Sequence, residues 1–181
     1  MQTRIPKNNE KQLQDFIDYT NNLLEAIASY KKGNLSYYKS ILSCLRVLIA
    51  DKNAGRPQYL LDRMLDRYSI DVTIHFEGLV GIPKTNPLSR DKNVPIKEYL
   101  DNKEMTIGGK AISYRNYIWR LSSQDSIHAD ESLDEDLASG EMIILMDIPA
   151  NQRQVLAIAK NVCDACISLI NAIKYKTKIK S

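Results

Sequence analysis

Long uninterrupted apolar runs are missing from these 181 residues. None approaches the roughly 20 residues that a spanning helix requires. The opening MQTRIPKNNEKQ has no apolar core of the kind a secretory signal carries. The expectation is therefore a soluble, cytoplasmic chain with no membrane partner. Cysteine is sparse: Cys44, Cys163 and Cys166 all fall within apolar helical patterns. A disulfide scaffold needs more cysteines in a shorter chain, so reduced thiols are expected. Cys163-Asp164-Ala165-Cys166 has the C-x-x-C form but lies late in a long amphipathic pattern. Redox pairs instead sit at helix N-termini, where the dipole lowers the thiol pKa. One such pair is also only half a zinc site, so core packing is the reading. Metal-protease, EF-hand, P-loop, dinucleotide and G-x-S-x-G spacings are all absent. No metal and no cofactor are expected.

An excess of positive charge is missing outside the last eight residues. The chain carries a net +3, yet Lys174, Lys176, Lys178 and Lys180 alone supply four charges, leaving residues 1–173 at −1. Nucleic acid is thus not the expected partner. The lysine-rich tail at about 174–181 reads as a solvated end, with a weak grip on phosphate or anionic lipid as the lesser alternative. Hydrophobic residues at 44% and charged residues at 26% fit one soluble domain over 1–181.

What is present begins with helical periodicity. Leu13, Phe16, Ile17, Leu23, Leu24, Ile27 and Tyr30 predict a helix over 9–31. A second, capped by Asn34 or Ser36, carries Tyr37, Ile41, Cys44, Leu45, Leu48 and Ile49 on one side. A third runs from about Pro57 to Arg67, with Leu60, Leu61, Met64 and Leu65 inward. The period then becomes two: Val72, Ile74 and Phe76 alternate with polar residues, predicting a strand over 70–77 with His75 on its polar face. Residues 78–94 read as a long loop and 95–102 as a short helix. Met105–Ile107 and Lys110–Ile112 flank Gly108-Gly109, where positive φ costs nothing, and predict a β-hairpin.

Ser113 reads as the N-cap of a helix burying Tyr117, Ile118 and Leu121. Ser132-x-x-Glu135 has capping-box form, and a short acidic helix follows to Leu137. Met142–Ile148 is a further predicted strand, ended by Pro149. A last helix of about 25 residues buries Val155, Ile158, Val162, Cys166, Leu169 and Ile173. The fold class is α+β: an N-terminal helical hairpin, a small and largely antiparallel sheet, and a long C-terminal helix.

The hairpin, the helix from Ser113 and His128-Ala129-Asp130-Glu131-Ser132-Leu133-Asp134 resemble a family of uncharacterised bacterial proteins. In that family a Gly-Gly hairpin leads to an Arg-bearing helix and then a G-G-A-H-x-D-x-x-L-D segment. Tyr38 to Asp51 and Leu60-Leu61-Asp62 resemble its earlier helical part. His128, Asp130, Leu133 and Asp134 match; Asp125-Ser126 replaces the Gly pair. The resemblance implies no assigned activity.

The candidate ligand-binding residues are Arg115, Trp119, Arg120, His128, Asp130 and Asp134. In an extended segment His128 and Asp130 face one side, so a carboxylate can orient the imidazole. Arg115 and Arg120, five apart on a helix, offer opposite charge to the acids of 125–136, in an internal salt-bridged loop or toward a ligand. Trp119 suits either core or the wall of a pocket. The first expectation is an accessory protein that forms a dimer and binds a small ligand or protein partner. The alternative is a hydrolase or nuclease-like enzyme using His128, Asp130 and an Arg such as Arg120. The Arg-to-His spacing loosely resembles that of helical ribonucleases of the HEPN type.

Overall fold

Apolar side chains returning every three or four positions make the first two segments helical. In the computed structural model they are α1 (Lys7–Tyr30) and α2 (Leu35–Leu48), packed together as a hairpin. The structure describes residues 7–30, 35–50, 59–76, 92–101, 105–107, 110–124 and 148–180. Phe16, Leu23 and Ile27 of α1 meet Ile41, Leu45 and Leu48 of α2 in the same buried cluster. Burying each such side chain stabilises by roughly 1.5–3 kcal/mol, so this seam dominates the local energetics.

Helix α3 (Leu60–Arg67) buries the four residues its pattern predicts, Leu60, Leu61, Met64 and Leu65. Its end is closed by the backbone. Ser69 N–H donates to the Asp66 carbonyl at 3.2 Å and Ile70 N–H to the Leu65 carbonyl at 3.1 Å, the two bonds of a Schellman motif. Ser69 takes the left-handed conformation this needs, at φ 50°. The turn leads to β1 (Thr73–Phe76).

β1 pairs antiparallel with β2 (Lys92–Pro95), Ile74 opposite Val94 and His75 opposite Asn93. The loop expected over 78–94 is therefore corrected at its end, where 92–94 form a strand. Val94 turns inward while Asn93 and Pro95 are exposed. Pro95 is tolerated because Ile96 N–H donates to the Val72 carbonyl, which puts Pro95 opposite Thr73 in a non-hydrogen-bonded pair with its nitrogen turned away from β1. The expected helix over 95–102 is α4 (Ile96–Leu100). β3 (Met105–Ile107) and β4 (Lys110–Ile112) form the expected hairpin, Met105 opposite Ile112. Gly108-Gly109 lies outside the described residues.

α5 (Tyr114–Gln124) follows, and α6 (Ile148–Lys180) closes the chain. The strand expected over 142–148 is corrected at Ile148, which opens α6; 142–147 lie outside the described residues. Pro149 stands in the first turn, where its missing N–H is not needed. α6 has 33 residues rather than about 25, and continues through Lys180. By length and apolar composition its stretch Asn151–Lys176 is sufficient to cross a membrane, although polar residues such as Lys160, Asp164 and Asn171 interrupt it. Half of that apolar window is buried in the protein, with Val155, Ile158, Val162 and Leu169 inaccessible. The architecture is α+β: among the described residues six helices, the last of them long and C-terminal, and two small antiparallel sheets.

Candidate functional site

Ser113 sets the start of α5. Its Oγ accepts the Asn116 N–H at 3.2 Å and its carbonyl accepts the Tyr117 N–H at 2.9 Å, as an N-cap does. Arg115 is thereby fixed on the first turn, 7% exposed. Its Nε donates to Asp101 Oδ1 at 2.8 Å, its Nη2 to Asp62 Oδ1 at 3.0 Å and its Nη1 to the Ile49 carbonyl at 3.1 Å. Ile49 follows the last residue of α2, where carbonyls lack helical partners and the dipole is negative. One guanidinium thus ties the ends of α2 and α4, and the first turn of α3, to α5. The carboxylate partners of this guanidinium among the described residues are Asp62 and Asp101; the acids of 125–136 lie outside them.

Trp119 is 6% exposed and belongs to the core cluster. The Arg46 guanidinium of α2 lies 5.9 Å from its ring centroid, within cation–π range. Of the two readings open to Trp119, the structure places it in the core. Arg120 is half-buried, one turn before the end of α5, and is engaged in a further interaction. His128, Asp130 and Asp134 lie outside the described residues, as does the acidic stretch around them. The expected His–Asp arrangement falls there too. The backbone of His75 pairs with Asn93.

Tyrosine hydroxyls carry a role that periodicity did not reveal. The Tyr117 hydroxyl donates to Asn151 Oδ1 at 2.6 Å and that of Tyr30 to Gln152 Oε1 at 2.7 Å. The Tyr99 hydroxyl accepts from Asn161 Nδ2 at 3.0 Å. All three amides belong to α6. Burial raises the Tyr99 phenol above its ordinary pKa, with the Asn161 bond acting in the opposite direction. Tyr99 also packs on Tyr114, ring centroids 4.9 Å apart. The sequence has ten tyrosines against two phenylalanines, a bias that is the one advance sign of such ties.

The cysteines sit where core packing puts them. All three are free and buried. Burial, aided by Asp164, pushes the Cys163 thiol up to about 11, and burial raises Cys166 and Cys44 as well. Neutral, enclosed thiols do not act as nucleophiles. Among the described residues, no group of three His, Cys, Asp or Glu is placed to hold a metal.

Two open clefts mark the described surface. One, of about 450 Å³, lies along the α1–α2 seam between Asn22, Glu25, Tyr37, Lys39, Ser40 and Ser43. The other, of about 380 Å³, lies beside the α3 terminus, with Ser69, Asp71, Pro95 and Lys97 on its walls. Lys97 closes one side of it by pairing with Asp66 at 2.6 Å. Arg115, Trp119 and Arg120 line neither. No family model, curated protein or solved structure matches the chain.

Proposed function

We propose that this chain is an accessory protein that forms a dimer and binds a protein partner or small ligand, without catalysis of its own. The observation that supports the reading is the exposed Leu24 beside the α1–α2 cleft. Arg115, bonded to two carboxylates and a carbonyl, serves positioning, which leaves Arg120 as the arginine of the hydrolase alternative. The outer side of the α1–α2 hairpin supplies a surface. Leu24 is 48% exposed, on the same turn of α1 as the cleft residues Asn22 and Glu25. A knob beside a hollow is the arrangement that two copies related by a two-fold axis exchange.

Light scattering at two concentrations, with Leu24→Asp beside the unaltered chain, tests this. A dimer mass that the substitution reduces to a monomer supports it, whereas a monomer at both concentrations ends the dimer claim. Incubation with RNA, esters and phosphate esters, with and without divalent cations, tests the rest. Turnover abolished by His128→Ala would replace this reading with a hydrolase in which His128, Asp130 and Arg120 act.

A further inference from the structure

Four lysines occupy residues 174–181, and after Asp164 the chain holds no acidic residue. α6 remains helical through Lys180, so one helical rod carries these four positions. Six residues of helix advance about 9 Å, close to the screening length of about 8 Å at physiological salt. Lys174 and Lys178, four apart, share one side of the helix and Lys176 and Lys180 the other, so it is a surface meeting the helix end that all of these positions reach.

The rod is also held in place. Lys176 Nζ donates to the Tyr68 carbonyl at 3.0 Å and reaches the Ser69 carbonyl at 3.5 Å. It thus grips the negative end of α3. Asp66 on the last turn of α3 is paired with Lys97. Lys174 and Tyr175 are exposed, Tyr175 at 67%. One or two lysines suffice to complement a helix dipole. Four of them, with an aromatic ring left in water beside them, exceed that need.

We propose that this end of α6 is a peripheral docking point for an anionic lipid bilayer. Lysines meet the phosphate and carboxylate headgroups, and Tyr175 enters the headgroup layer, where amphipathic rings are favoured. The helix lies against the surface by its end and does not span it. Two observations favour a bilayer over a nucleic acid: the exposed tyrosine, and a body at −1 over residues 1–173 that offers a polyanion no continuous basic track. The inference is independent of the dimer.

The test is flotation of the full chain with vesicles of one-third phosphatidylserine and two-thirds phosphatidylcholine, beside phosphatidylcholine alone. Binding is expected only to the anionic vesicles and is expected to fall as salt rises. Each lysine contributes about fivefold, so Lys174→Gln, Lys178→Gln and Lys180→Gln together are expected to lower binding on the order of a hundredfold. Lys176 is left in place because it holds the fold, and circular dichroism checks that the variant is folded. Lys160→Gln, exposed earlier on α6, is the control expected to bind like the parent. No binding, equal binding to neutral vesicles, a triple variant that binds as well as the parent, or tighter binding to a single-stranded RNA oligonucleotide would each overturn the proposal.

Discussion

The two sides of this molecule are fastened by different chemistry. Along the first half of α6 the polar ties described are neutral, tyrosine hydroxyls bonded to Asn151, Gln152 and Asn161. Where α2, α3 and α4 converge on α5 the tie is ionic, with Arg115 at its centre. A neutral pair loses one hydrogen bond when a hydroxyl is removed. An ionic node loses its charge balance as well, because the remaining carboxylates stay partly enclosed. The helical body thus rests on many modest polar contacts added to a large apolar seam. The other side depends on one cation.

The sharpest way to break the contrast is Arg115→Met. It leaves Asp62, 17% exposed in its side chain, and the Ile49 carbonyl without their donor. The expected loss is about 3 kcal/mol, read as a lower urea midpoint with an unchanged slope. Asp101→Asn at the same node is expected to cost under about 1 kcal/mol, since that carboxylate is 63% exposed and water replaces the contact. Equal losses for the two would mean that burial does not govern the node.

Tyr117→Phe is the matching cut on the neutral side. It removes the hydroxyl that donates to Asn151 Oδ1, and about 1–2 kcal/mol is expected in the same denaturation experiment. A loss as large as that of Arg115→Met would erase the distinction between the two kinds of tie. The smallest effect comes from Ser69→Gly, which relieves the left-handed backbone at the end of α3. A gain of up to about 1 kcal/mol is expected, seen as a higher melting temperature.

Local signals made much of this fold readable. Alternation over 72–76 and the Gly-Gly signal gave β1 and the β3–β4 hairpin, and the expected 9–31 helix lies close to Lys7–Tyr30. The strand β2 was not readable because Lys92-Asn93-Val94-Pro95 holds one inward residue and a proline. Its existence depends on β1 lying beside it. The Arg115 node was hidden for the same reason on a larger scale. Its partners stand 14, 53 and 66 positions away, and no periodicity encodes such a meeting. Lys176 reaches its carbonyl across 108 positions, so a charge read as part of a loose tail becomes a clamp. Of the candidate site, Arg115 and Trp119 are buried, one at the ionic node and the other in the core cluster, while His128, Asp130 and Asp134 lie outside the described residues.

With a single indole, held in the interior under the guanidinium of Arg46, the molecule has one intrinsic optical gauge, and that gauge watches the seam between α2 and α5. Its emission will shift when those two helices part. A ligand settling elsewhere without disturbing them will leave the signal flat, so a silent fluorescence titration should be followed by calorimetry before a compound is discarded.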